Sequence, residues 1–136
     1  MARVAGRSCI VTGAAQGIGR AIGEALLDEG ANVCFADING DKVGAVADAN
    51  AERAAQTGAR VTHAAVDVTD RAAVRAAFEP VSSVSVFIHS AGVLADGGLG
   101  TVDAARGRLA RAVKTEGFLN TLVAVNGSLE VALCIG

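Results

Sequence analysis

Short apolar, β-branched runs alternate along this chain with longer segments whose apolar residues recur at helical spacing. SCIVT (8–12) ends at a glycine and reads as a buried parallel strand. Residues 13–19 form a glycine-rich turn; in RAIGEALLDEG (20–30), Ile22, Leu26 and Leu27 share one face ahead of Gly30, a natural C-cap. NVCFA (32–36) predicts a second strand, cut off by Asp37 and the turn signal Asn39-Gly40. Residues 41–57 carry Val43, Val46, Ala47 and Ala54 at helical spacing and predict a crossover helix closed by Gly58. RVTHAAV (60–66) predicts a third strand. Thr69 or Asp70 then caps a helix running through Val74, Ala77 and Phe78 until Pro80 forbids continuation. SVFIHS (85–90) predicts the fourth strand, followed almost at once by Gly92.

Beyond Gly92 the pattern weakens. Residues 93–100 are glycine-rich and predict a loop, and 102–116 predict a helix that Gly117 interrupts. Residues 122–135 are apolar but broken by Asn126-Gly127-Ser128, so they form either a buried helix or two short strands. Strands and helices alternating at these lengths imply parallel strands joined by right-handed crossovers. The predicted fold class is α/β: a three-layer, Rossmann-like, doubly wound parallel sheet of four to five strands, incomplete, in a single domain spanning 1–136.

Composition narrows the chemistry. The chain is 51% hydrophobic, with four Phe, no Trp and no Tyr, which suits helices packed on a sheet and argues against a base-stacking surface for nucleic acid. The net charge is −2, and the local cluster Arg106, Arg108 and Arg111 reads as a solvated face. Cys9, Cys34 and Cys134 each sit in an apolar stretch without metal or redox spacing, so all three are expected to be buried and reduced, and no metal site is predicted. Nothing resembles a secretory leader or approaches the roughly 18 consecutive apolar residues of a membrane span. A cytoplasmic protein without membrane or nucleic-acid partners is the expectation.

The candidate chemistry starts at TGAAQGIG (12–19), where a strand hands over to a helix. Pyrophosphate needs backbone N–H groups at close range and a positive helix N-terminus, and Gly13, Gly17 and Gly19 lack the Cβ that would block it. The alternative is a turn that uses glycine for packing alone. Asp37 closes the second strand eighteen residues after Gly19, where a carboxylate accepts from both hydroxyls of an adenosine ribose and repels a 2′-phosphate. Neither Ile38 nor Asn39 supplies a cation beside it, which favours NAD over NADP. Asp37 as a plain turn residue is the competing explanation.

TGxxxGxG after the first strand, an acid closing the second, Asp67-Val68 after the third and an xxAG turn after the fourth together resemble the short-chain dehydrogenase/reductase family. The resemblance covers about the first 92 residues well and 122–136 loosely. It implies a cofactor site built from Gly13, Gln16, Gly17, Ile18, Gly19, Asp37 and Ile38, with Asp67 and Val68 against the adenine. Asp67 as a helix N-cap is the alternative. Ser90, Ala91 and Gly92 of HSAG match the turn where the family usually has NNAG, so Ser90 keeps a hydroxyl but loses an amide. His89 reads as a hydrogen-bonded core residue. Asn126, preceded by Val125, matches the family's helix-bending asparagine, implied to hold a water in the catalytic proton relay; otherwise it belongs to an Asn-Gly turn.

The family's reaction is implied to be hydride transfer between NAD(H) and a small secondary alcohol or ketone, with a tyrosine as general acid/base, a lysine four residues on and a serine orienting the substrate. This chain has no tyrosine, and its lysines are Lys42 and Lys114. The expectation is therefore the cofactor-binding half of an enzyme, stopping before the YxxxK region, with its fourth strand left as an apolar sheet edge prone to self-association. A non-catalytic dinucleotide-binding or regulatory module is the alternative. The resemblance also implies a homo-oligomer.

Overall fold

The structure, a computed structural model, describes residues 3–93, 100–101, 103–125 and 127–136. Its elements run β1 (Ser8–Thr12), α1 (Gly17–Asp28), β2 (Asn32–Asp37), α2 (Gly40–Ala49), α3 (Ala51–Thr57), β3 (Val61–Ala65), α4 (Arg71–Phe78), β4 (Val84–His89), α5 (Ala104–Ala124) and β5 (Val131–Cys134). The strands form a five-stranded sheet in the order β3-β2-β1-β4-β5 with every pairing parallel. The Rossmann-like α/β fold follows from the sequence pattern.

Strand alternation splits the core in two. Cys9, Val11, Val33 and Phe35 point to one face, where Leu27 of α1, Val43 and Val46 of α2 and Ala54 of α3 cover them. Ile10, Cys34, Ala36 and Phe87 point to the other, covered by Val74 and Phe78 of α4 and Val113 of α5. The order reverses between β1 and β4, opening a crevice at their C-terminal ends, where open α/β sheets take their ligands.

Five expectations need correction. The helix predicted over 41–57 is two helices, because Asn50 Nδ2 donates to Val46 O at 2.9 Å and to Glu24 Oε1 at 3.1 Å. The side chain takes the carbonyl that an uninterrupted helix would give to its own N–H, which turns instead to Ala47 O. Gly117 does not interrupt the last helix: α5 runs through it to Ala124. A Cβ there would lie 2.7 Å from Val68 Cγ2 and 3.1 Å from His89 Cε1, so the glycine sets how closely α5 sits on the sheet.

The described residues of 122–135 form neither a buried helix nor two strands. Leu122 to Ala124 end α5, and after a turn at Gly127 (φ +114°) β5 pairs with β4 from Val86↔Val131 to His89↔Cys134. The fourth strand is thus not an edge; β5 is, with Val131 44% and Leu133 52% exposed. That edge also exposes Cys134, whereas Cys9 and Cys34 are buried as expected. Among the described residues no helix is long and apolar enough to cross a membrane, and no group of three or more His, Cys, Asp or Glu is placed to hold a metal.

Candidate functional site

The crevice is built where two strand ends are pinned together. Thr12 Oγ1, wholly buried at the end of β1, accepts from the N–H groups of Ser90 (3.2 Å) and Ala91 (3.3 Å). Its own proton goes to His89 Nδ1 at 2.8 Å, and His89 Nε2–H donates to Val113 O at 2.8 Å. A carbonyl can only accept, so the ring is the neutral Nε2–H tautomer. Burial holds the His89 pKa below the usual histidine range, against the raising effect of the Val113 hydrogen bond, and the Lys114 charge lowers it further. His89 is a satisfied core residue with no free proton to give.

The glycine turn fits into this junction by close approach. Gly13 has φ +64°, and a Cβ on it would lie 2.6 Å from Ala91 N. A Cβ on Gly19 would lie 2.3 Å from Gly13 O, so α1 starts directly on the turn. Gly17 differs: its φ is +59°, but nothing lies within 4 Å of where its Cβ would be. Gln16 precedes α1 and makes no side-chain cap, and Gln16, Ile18 and Gly19 at this helix start line the open crevice.

Asp37, at the end of β2, faces the turn from the side. Its Oδ2 accepts from Ala15 N–H at 3.1 Å and its Oδ1 from Asn39 N–H at 3.0 Å. Each oxygen keeps an acceptor site free for a ligand hydroxyl. Two adjoining cavities of about 160 and 330 Å³ share Gly13, Asp37 and Gly92. The larger adds Gln16, Ile18, Gly19 and Ser90; the smaller adds Ile38, Asp67, Val68 and Ala91. The structure thus brings the sequence-derived cofactor residues to one crevice, with Gly17 in the turn beside it. Asp67 does not cap a helix, since its Oδ1 accepts from Thr69 N–H (2.9 Å) and Thr69 Oγ1 (2.7 Å) while Asp70 caps α4.

Several residues of the crevice were not foreseen. Val66, Val93, Leu109 and Val113 complete its apolar wall; Leu109 and Val113 lie one turn apart on α5, a spacing visible in the sequence. Lys114 Nζ donates to Ile135 O, and its Cε lies 3.4 Å from where a Cβ on Gly92 would stand, tying α5 to the ends of β4 and β5. Lys42 Nζ donates to Gln16 Oε1 at the opposite rim. Asn126 lies outside the described residues; near it, Ser128 Oγ donates to Val84 O at the start of β4, the end of the sheet remote from the crevice.

The family model for short chain dehydrogenase matches residues 7–130. The chain belongs to the short chain dehydrogenase family. A 2-dehydro-3-deoxy-L-rhamnonate dehydrogenase (NAD(+)) from Sphingomonas sp. (strain SKA58) is 41% identical over 96 residues, covering 67% of this chain and 35% of that protein. The short chain dehydrogenase/reductase dpchG of Colletotrichum higginsianum is 32% identical over 95 residues, 67% of this chain and 34% of its own length. Among solved structures, carveol dehydrogenase from Mycobacterium avium in complex with NAD superposes with a TM-score of 0.76 at 27% identity, over 90% of this chain and 49% of that one. The short chain dehydrogenase segment seen here thus spans about a third to a half of the length of such relatives.

Proposed function

We propose that this chain is the dinucleotide-binding part, a single domain over 1–136, of an NAD-dependent oxidoreductase that transfers hydride between NAD(H) and a small secondary alcohol or ketone. The observation that carries the cofactor assignment is the Asp37 carboxylate, held by Ala15 N–H of the glycine turn and Asn39 N–H while facing the crevice. In this reading Asp37 accepts the ribose hydroxyls, and its charge opposes a 2′-phosphate. The uncapped start of α1 and the open space at Gly17 suit a pyrophosphate, so the residues present fit the group. Ile38, Val66 and Val68 would hold the adenine with their apolar side chains and Asp67 with its carboxylate, and Ser90, Ala91 and Gly92, which line the same crevice, would hold the ribose.

Bound there, the nicotinamide would supply or accept the hydride. The chain's own contribution is to bind and orient: His89, spent on Thr12 and Val113, is no proton donor, and no tyrosine is present. Of the proton relay, this reading gives the chain Asn126, as the residue that would hold a water. A homo-oligomer is part of the proposal, supported by Leu119 and Val123, one turn apart on α5 and 51% and 54% exposed. So is a cytoplasmic setting, supported by three unpaired cysteines.

The test is titration of the chain with NADH and NADPH, followed by the fluorescence of the reduced nicotinamide. NADH is expected to bind more tightly, and Asp37→Ala should move the preference toward NADPH by roughly tenfold, the scale of about 1.4 kcal/mol. An unchanged preference would remove the assignment of Asp37.

A further inference from the structure

Lys42 stands on the first turn of α2, and both of its ends are tied to the crevice rim. Its backbone N–H donates to Asn39 Oδ1 at 3.0 Å, and Asn39 N–H donates to Asp37 Oδ1 at 3.0 Å. Its Nζ donates to Gln16 Oε1, and Gln16 follows Ala15, whose N–H holds the other oxygen of Asp37. The contacts close a ring, Lys42 to Asn39 to Asp37 to Ala15 to Gln16 and back. Gln16 and Asp37 line the same cavity, so the ring encloses one edge of the crevice.

The acceptor at the tip of Lys42 is a neutral amide. Among the described residues no carboxylate lies within 4 Å of its ammonium, so its charge is not cancelled by a paired anion. An ammonium has three donors, and Gln16 takes one. The side chain is exposed and four methylenes long, free to turn from Gln16 toward an anion arriving beside Asp37. The carboxylate that disfavours a 2′-phosphate thus has a cation built into its own hydrogen-bond ring.

We propose that Lys42 is a specificity-determining residue of the ribose subsite: it offers its ammonium to a 2′-phosphate, so that the crevice biased toward NAD by Asp37 also accepts NADP. The inference rests on the cofactor reading of this crevice and deepens it. The absence of a cation at Ile38 and Asn39, next to Asp37 in sequence, does not describe the local field, because Lys42 reaches the same rim from the following helix turn.

The experiment titrates the wild-type chain, Lys42→Met and Lys42→Arg with NADH and with NADPH at two salt concentrations, with thermal unfolding of each variant alongside. Wild type should bind NADPH more weakly than NADH but measurably below millimolar. Lys42→Met should weaken NADPH about three- to tenfold, the range of an exposed charge contact strengthened by phosphate, and leave NADH within about twofold on the same scale. Lys42→Arg should retain NADPH, and added salt should weaken NADPH more in wild type than in Lys42→Met. Equal loss of both cofactors, no loss of either, or no NADPH binding by wild type would overturn the inference. A wild-type preference for NADPH, with the Lys42→Met loss intact, would overturn the NAD assignment and leave Lys42 its role; binding of neither cofactor would overturn both.

Discussion

Thr12 Oγ1 and His89 Nδ1 lie 2.8 Å apart in the buried seam between β1 and β4, and both side chains are wholly inaccessible to solvent. The hydroxyl gathers Ser90 N–H, Ala91 N–H and the imidazole, so a single oxygen positions the turn that forms one wall of the crevice. The arrangement needs a neutral ring. Burial lowers the folded-state pKa of His89 below its unfolded value, so the unfolded chain binds the proton more readily. The stability His89 contributes is therefore present above the usual histidine pKa of about 6.5 and is lost as pH falls from there toward the folded value. Denaturant melts from pH 7.5 to 5 should show this loss, and His89→Asn, which removes the titrating group, should flatten it. An equal acid slope in the variant would place the titration elsewhere.

The glycines of the turn separate folding from binding. Gly13→Ala must adopt φ +64° and press a Cβ to 2.6 Å from Ala91 N, so it should cost about 3 kcal/mol or more. Gly17→Ala meets no protein atom within 4 Å, so only its φ of +59° is penalised, about 1–2 kcal/mol. Its methyl group enters the open space at the turn, and NADH affinity should fall about tenfold, or about 1.4 kcal/mol. Chemical denaturation paired with NADH titration distinguishes the two. Undiminished NADH binding by a folded Gly17→Ala chain would contradict the phosphate turn.

These residues also mark where sequence suffices. The βα units from β1 to β4, the turn and Asp37 are legible because their signals are local: apolar runs ended by glycine or acid, and amphipathic spacing between them. Asn50 is not, since its break depends on the carbonyl of Val46 and on Glu24 from another helix. Gly117 reads as a helix breaker from intrinsic propensity, yet its use is the approach of α5 to Val68 and His89, which exists only after packing. β5 is similar: its apolar run suits helix or strand, and the free edge of β4 decides. The reach of Lys42 to Gln16 spans 26 residues and carries no motif.

The cysteines offer a test of the packing. Burial pushes the Cys9 thiol up to about 11, with Arg7 opposing weakly, and raises that of Cys34 against a hydrogen bond with Thr62. Cys134, on the outer strand, is exposed. A thiol-specific reagent at pH 8 should therefore modify Cys134 rapidly in the folded chain, and Cys9 and Cys34 only on unfolding. Peptide mapping after a short pulse identifies the site, and prompt labelling of Cys9 would contradict the burial of β1.

The same outer strand predicts association. β5 pairs with β4 on one side, and its other side presents backbone N–H and C=O groups next to Val131 and Leu133, two residues apart and therefore on one face. Such an edge is a template for another strand, and its apolar face adds a hydrophobic drive that a lone backbone edge lacks. Charged residues are the usual protection of natural edges, and β5 itself carries none. The chain should therefore form concentration-dependent oligomers, seen by sedimentation velocity between micromolar and hundred-micromolar concentrations. Val131→Lys with Leu133→Lys should shift the distribution toward monomer while leaving the melting transition nearly unchanged, because both side chains are about half exposed. If the doubly substituted chain associates as before, the contact lies elsewhere, and Leu119 and Val123 on α5 are the next surface to substitute.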